Sequence, residues 1–173
     1  KVSDNAYSIA NEKFELTVGV PRDDIEDDNY GVYTPMMEAM GESTALHKDE
    51  RVSEAVKNGF TEKCYDGQPF FSERHQVGSI TYSNKGDAKL DAESFQAARQ
   101  SIMSLKNEKG QPLNIVPNVL LVPPALEKEE RMILEAELVN GTSNINKGLA
   151  EVVVWSQLAD KPTQWYLLCT KRS

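Results

Sequence analysis

Two side chains in this sequence are of the types used in nucleophilic catalysis. Cys64 and His75 stand eleven residues apart, with "DGQPFF" inside the interval. A cysteine hydrolase needs a thiol hydrogen-bonded to the histidine and a third group that orients the ring. No family-specific flank surrounds Cys64, so a Cys–His hydrolase built on Cys64 and His75 stands only as an alternative reading. Ser72 and Ser79 lack a G-x-S-x-G elbow, and His47 has Arg51, not a second ligand, four residues on. Both histidines read as surface or hydrogen-bonded structural residues. The stretch "PRDDIEDDNYG" raises a second possibility, cation binding, with five acids in six positions: Asp23, Asp24, Glu26, Asp27 and Asp28. A calcium loop of the EF type wants acids at alternate positions and a central glycine, and this stretch has adjacent pairs around Ile25. Acids just before a helix sit well against its positive end, and a helix is expected to begin near Tyr33 or Thr34. The stretch therefore reads as a charged bend, with a calcium-binding module as the alternative. On this reading the chain has no catalytic residue, no cofactor-binding residue and no metal ligand.

Composition points the same way. A formal net charge of −8 and a pI near 4.9 argue against binding to nucleic-acid phosphate, which needs clustered Lys and Arg. The sequence contains neither G-x-x-x-x-G-K-[ST] nor G-x-G-x-x-G, so nucleotide cofactors get no support. Cys64 and Cys169 are not in a CxxC pair; two reduced thiols in a cytosolic protein are expected, with one disulfide as the open alternative. No apolar run approaches the ~20 residues that span a bilayer, and no basic-then-apolar secretion signal opens the chain. "NGT" at Asn140–Thr142 reads as a turn rather than a glycosylation site. The chain begins at Lys1 rather than Met, which suggests a piece of something longer.

The elements follow from periodicity. "FELTVGV" alternates, with Phe14, Leu16, Val18 and Val20 on one face, and predicts a strand ended by Pro21. Residues 34–58 predict a helix of about 36 Å, with Thr34–Pro35 at its start and Gly59 at its end. Its apolar stripe is imperfect. Tyr33, Met37, Met40 and Thr44 line one face, and Val52, Ala55, Val56 and Gly59 another, with "HKDE" at 47–50 a point where a kink or a new start at Asp49 would fall. Residues 60–90 read as irregular. Asp91 caps a second helix with Phe95, Ala98, Ile102 and Leu105 on its buried side. "NVLLV", bounded by Pro117 and Pro123, is a buried strand. "ALEKEERMILEAEL" is a third helix burying Leu126, Met132, Ile133 and Ala136. "EVVVWSQL" and "QWYLLCT" are two further strands. Phe70–Phe71 and Trp165–Tyr166 read as core or subunit contacts rather than base-stacking platforms. The order of elements is that of an α+β chain, without internal repeat.

Four segments in order, "FELTVGVPRDDIEDDNYG", "YDGQPFFSERH", "GQPLNIVPNVLLVPPALE" and "WYLLCT", resemble the Mu-like prophage major head subunit (gpT) family. The resemblance runs from about residue 7 to 170. Ser72 stands where the family usually has an aspartate, and Gln76 where it usually has a proline. The resemblance implies a bacteriophage major capsid protein of the Hong Kong 97-type fold, here as a truncated fragment. It implies a peripheral domain over 1–90, with an extended loop and a spine helix at about 34–58. It also implies an axial domain over 91–173, with a central sheet and flanking helices, whose last strand returns toward the peripheral domain. The implied function is a structural subunit that self-assembles into the icosahedral head of a Mu-like phage or prophage. Its implied partner is itself, in pentamers and hexamers of the full-length protein, with scaffold or portal proteins as further candidates. No nucleic-acid or membrane contact is implied, and its place is the virion, assembled in the host cytoplasm. A nanocompartment (encapsulin-like) shell protein of the same fold is the alternative. The acidic bend at 23–28 and the long helix are expected to form a lateral surface facing adjacent subunits, because the segment is rich in acids and has Arg22 as its one adjoining basic residue.

Overall fold

The computed structural model describes residues 10–26, 31 and 33–171. Asp27 and Asp28, and the segment "AYSI", lie outside the described residues. The chain divides into two compact units, Lys1–Asn58 and Gly59–Ser173.

In the first unit the acidic stretch is partly coiled rather than a simple bend. Helix α1 spans Arg22–Glu26 with Asp23 and Asp24 in its first turn. Arg22 closes it with a 2.9 Å bond to Glu26 one turn on, and the Tyr33 hydroxyl donates to Asp24. Helix α2 spans Thr34–Asn58, and its 25 residues run unbroken through "HKDE". Neither a kink nor a restart occurs at Asp49, because 47–50 carries no proline or glycine to interrupt the ladder. The first bond of the helix, from the Met37 N–H to the Tyr33 carbonyl at 3.0 Å, puts Tyr33 rather than Thr34 at its cap.

The strand expected at 13–20 does not form: residues 10–21 hold no regular secondary structure. Alternation fits a strand only where a neighbouring ladder accepts its backbone groups. Instead the Phe14 ring meets His47 edge-on at 4.4 Å, and the Arg51 guanidinium lies 5.1 Å above it. Arg51 also pairs with Glu12 at 2.9 Å and Glu54 at 2.7 Å. Of the apolar stripe expected on α2, Met37 and Val52 are more than half exposed, whereas Tyr33, Met40 and Val56 are half-buried. Met36, Met37, Leu46 and Val52 are each at least half exposed, and Ser53 is the one buried residue of the helix.

The second unit is built round a three-stranded sheet. Strand β3 (Val119–Val122) lies at its centre, parallel to β6 (Glu151–Val154) and antiparallel to β7 (Tyr166–Leu168). The central strand is buried nearly throughout, as a continuous apolar run requires. The parallel pairing needs a crossover. Helix α4 (Glu127–Leu134) and the hairpin β4–β5 (Leu138–Val139, Thr142–Ser143) make up much of it. Asn140 and Gly141 join that hairpin with φ of 51° and 78°, so "NGT" is indeed a turn.

Helix α3 (Ala92–Met103) opens with the expected cap. The Asp91 carboxylate accepts from the Ser94 N–H at 2.8 Å, and the Ser94 hydroxyl accepts from the Asp91 N–H at 3.0 Å. Its Phe95 is fully buried against Leu90, Leu120, Val122, Ile133 and Leu134. Arg99 ties the helix to the sheet by donating to the carbonyls of Pro117 (2.7 Å) and Leu149 (3.2 Å). Segment 60–90 contains a hairpin where irregular chain was expected: β1 (His75–Val77) pairs with β2 (Ile80–Tyr82) across Gly78–Ser79, with Gly78 at φ 62°.

Helix α4 departs from its expected burial. Met132 is exposed, while Glu130 is 1% exposed and its Oε2 has no hydrogen-bond partner among the described residues. Burial pushes the Glu130 pKa up to about 7; Glu135 and Glu127 reinforce this and Arg131 opposes it. The unfolded chain ionises the group near 4.5. Between these values the folded state binds the extra proton, so stability falls as pH rises from 4.5 to 7 and stays lower above 7. Glu130→Gln is therefore expected to stabilise the protein by about 1–3 kcal/mol at alkaline pH and by little in acid. Urea melts at the two pH values check this, and equal effects at both would contradict it.

Candidate functional site

The two residues that could form a nucleophilic pair lie in one small cluster of the second unit, but not as a pair. A tight turn carries Cys64. The Cys64 N–H donates to the Gln68 carbonyl at 2.8 Å, and the Gly67 N–H to the Cys64 carbonyl at 3.0 Å. Gly67 supplies the φ of 76° that a side chain would strain. Asp66, inside the turn, accepts from the Gln68 N–H at 3.0 Å through Oδ1, the local capping that aspartate favours before glycine. The same oxygen accepts from the Cys64 thiol at 3.0 Å.

His75 comes to this turn from strand β1. It is 3% exposed and stacks on Tyr82, its partner across the hairpin, with centroids 5.2 Å apart. Its Nε2–H donates to the Phe70 carbonyl at 3.0 Å, and its Nδ1 lies 2.6 Å from Asp66 Oδ2. Asn84 donates to that carbonyl too, at 2.6 Å, and accepts from the Ser72 N–H at 2.8 Å, which locks the segment that follows the turn.

The electrostatics follow from these partners. Burial opposes ionisation of Asp66, but the bonds from Cys64, His75 and Gln68 outweigh it and hold the carboxyl down at about 2. Burial and then the Asp66 carboxylate push the Cys64 thiol up. Burial, with the Tyr65 contact second, pushes Tyr82 up to about 12.

The thiol therefore bonds to a carboxylate and not to the ring, and both ring nitrogens are occupied. This lacks the thiol-to-histidine bond on which a Cys–His hydrolase depends, and a raised thiol pKa keeps the nucleophile protonated. Asp66 is the residue that the sequence reading missed. Its signal was present in "CYDGQ", an aspartate before glycine two residues after the cysteine. Cys64 and Cys169 are both free thiols, so the disulfide alternative does not hold. His47 stands apart, on α2 against Phe14. Among the described residues no helix is long and apolar enough to cross a membrane.

Of the other aromatics that the sequence singled out, Phe70 is 57% exposed, and Phe71, Trp165 and Tyr166 make contacts within the unit. Phe60, Phe71 and Tyr166 form one ring cluster with centroid separations of 4.9 Å and 5.5 Å, and the Trp165 indole donates to the Ala88 carbonyl at 3.0 Å. On α2 in the first unit, Met36, Met37, Leu46 and Val52 are exposed, spread round the helix rather than along one face.

Comparison with known proteins gives these features a context. The model of the family "Mu-like prophage major head subunit gpT" matches residues 1–88 and 79–158. The major capsid protein of Escherichia phage Mu is 39% identical over 127 residues, which is 73% of this chain and 39% of that protein. The Mu-like prophage FluMu major head subunit of Haemophilus influenzae is 45% identical over 78 residues, which is 45% of this chain and 25% of that protein. The chain thus spans about two fifths of the length of the first relative and a quarter of the second. Among solved structures, the bacteriophage JBD30 capsid superposes with a TM-score of 0.72 at 25% identity, covering 84% of this chain and 74% of that one. The JBD30 procapsid superposes with a TM-score of 0.69 at 27% identity, covering 84% and 75%. The α+β architecture is accordingly that of phage capsid proteins, the Hong Kong 97-type fold expected from the sequence. A family-model match over nearly the whole chain and a relative of this identity place the chain in the Mu-like prophage major head subunit (gpT) family.

Proposed function

We propose that this chain serves as a structural head subunit, associating with copies of itself into the shell of a Mu-like phage or prophage. The observation that supports the reading is the exposure of four large apolar side chains of helix α2 among the described residues. An isolated helix is marginal in water, and most helical stability comes from packing an apolar face. Here Met36, Met37, Leu46 and Val52 face solvent on a 25-residue helix of about 37 Å. Burying one such side chain against a neighbour contributes about 1.5–3 kcal/mol, and a closed shell repeats each contact many times.

The chain is assigned to the virion, with assembly in the host cytoplasm. The finer organisation extends the same reading. Residues 1–90 form the peripheral region, with α2 as its spine, and 91–173 the axial region. The ring contact between Tyr166 and Phe71 and the bond from Trp165 to Ala88 support a last strand that returns toward the peripheral part. Scaffold and portal proteins are candidate further partners. A cargo enzyme gene beside this one, in place of tail and portal genes, would favour the nanocompartment alternative.

The test is expression of the complete subunit with Leu46→Asp and Val52→Asp together. Both positions are exposed, so the thermal midpoint of the isolated subunit is expected to stay close to that of the unmodified protein. Particles seen by electron microscopy for the unmodified subunit should be lost. Normal particles from the double variant would remove α2 from the assembly surface.

A further inference from the structure

The cluster on the Cys64 turn holds more donor chemistry than a structural role requires. The Cys64 sulfur, an Asp66 carboxylate oxygen and a ring nitrogen of His75 lie within 4.8 Å of one another. We infer that Cys64, Asp66 and His75 form a binding site for a divalent transition metal, with Zn2+ the ion that fits best. The sequence reading assigned no metal ligand to this chain, because the three residues follow no zinc-motif spacing. The turn and the hairpin bring them together.

The donor set favours zinc over calcium or magnesium. One thiolate, one imidazole and one carboxylate are the three ligand types that Zn2+ takes, whereas the hard cations take oxygen alone. A tetrahedral zinc ion, about 2.3 Å from sulfur and about 2.0–2.1 Å from nitrogen and oxygen, holds its ligands about 3.3–3.6 Å apart. The present separations, 3.0 Å from Cys64 to Asp66 and 2.6 Å from His75 to Asp66, are those of direct hydrogen bonds. Opening these two by under about an ångström, in a cluster whose three donor atoms already lie within 4.8 Å of one another, makes room for the ion. The fourth position is left for water.

The surroundings are already those of a ligating histidine. Such a residue gives its other ring N–H to a carbonyl or carboxylate, which sets the ring's orientation. His75 Nε2–H does this to the Phe70 carbonyl at 3.0 Å, and Asn84 braces the same carbonyl at 2.6 Å. Nδ1 is thereby aimed at Asp66 and the turn. The ion takes the place of the thiol proton on Cys64 and comes between His75 Nδ1 and Asp66, so at least one proton passes to solvent per ion bound. No other bond changes and no redox step is involved. The bound ion would staple the 64–68 turn to strand β1 in a segment that otherwise has only a short hairpin.

The full chain, stripped with chelator, is titrated with Zn2+ alone and with Co2+ alone. One ion per chain is expected, with a melting midpoint that rises with zinc concentration and a proton release that reports deprotonated ligands. Co2+ should show the charge-transfer absorption of a cobalt–thiolate bond, which surface carboxylates cannot produce. Cys64→Ser keeps a hydroxyl that can donate to Asp66 and should fold. It is expected to lose the thiolate band and bind zinc at least about tenfold more weakly, the scale on which even outer partners of a ligand act. His75→Asn should weaken binding similarly, and Cys169→Ser should leave it unchanged. An absent cobalt–thiolate band, equal zinc affinity in Cys64→Ser, or loss of the band in Cys169→Ser would each overturn the assignment.

Discussion

Phe95→Ala is expected to destabilise the protein by about 3–5 kcal/mol, a large part of the stability of any domain of this kind. Phe95 is fully buried on α3 and packs with Leu90, Leu120, Val122, Ile133 and Leu134, so its removal leaves a cavity against three separate elements. The two ends of α3 limit how far the site can collapse. The Asp91–Ser94 capping box fixes its start, and Arg99 pins it to the carbonyls of Pro117 and Leu149. Urea denaturation should show a lower midpoint with an unchanged slope, since the same surface is exposed on unfolding. Met132→Ala serves as the contrast. The sequence places Met132 in the core of α4, but it is 58% exposed, and its removal should change stability by under about 0.5 kcal/mol. Comparable losses from the two variants would mean that α4 packs by its other face.

Asp66→Ala is expected to cost about 2–4 kcal/mol, because it removes the common partner of two largely buried groups. His75, 3% exposed, would keep its bond to Phe70 but lose the one at Nδ1, and the Cys64 thiol would lose its acceptor. The pH dependence separates this from a general loss of packing. The folded carboxyl ionises near 2 and the unfolded one near 3.8. The unfolded state therefore binds more protons between these values. The contribution is fully present above about pH 4 and is lost as pH falls through 2, for about 2 kcal/mol. Asp66→Asn keeps an oxygen for the Gln68 N–H, so the turn should survive with a smaller loss. The acid-sensitive part of the stability curve should disappear in that variant. An unmodified acid limb in Asp66→Asn would place the responsible carboxylate elsewhere.

Several elements were legible from local pattern because local pattern is what forms them. The bounds 34–58 for α2 follow from a stretch that, after Pro35, has no further proline and a single glycine, Gly41, before Gly59, and they match the structure residue for residue. Asp91 and Ser94 announce the start of α3 by their own hydrogen bonds, and Pro117 and Pro123 bracket a run that can only be a buried strand. The hairpin at 75–82 was missed although Gly78–Ser79 is a recognised two-residue loop, because the flanking strands are three residues each and show no clear alternation. The strand at 13–20 failed for the opposite reason. Its alternation is clean, but no neighbouring strand completes its ladder among the described residues, and Phe14 packs on His47 and Arg51 instead. Glu130 could not have been assigned to the interior from its type, since a carboxylate is the kind of residue that burial ordinarily excludes.

The sequence alone determined the α+β class, the long helix, the buried central strand and, through four motifs in order, the resemblance to a head-subunit family. Each of these depends on neighbours within a few turns of chain or on a recognisable string. Tertiary structure alone decided that β3 pairs in parallel with β6, that Met36, Met37, Leu46 and Val52 of α2 are exposed among the described residues, and that Asp66 stands between Cys64 and His75. The physical reason is that hydrogen bonding, burial and pKa depend on which distant segments share a space. Nothing in the eleven-residue spacing of Cys64 and His75 specifies the turn and hairpin that carry them to one carboxylate.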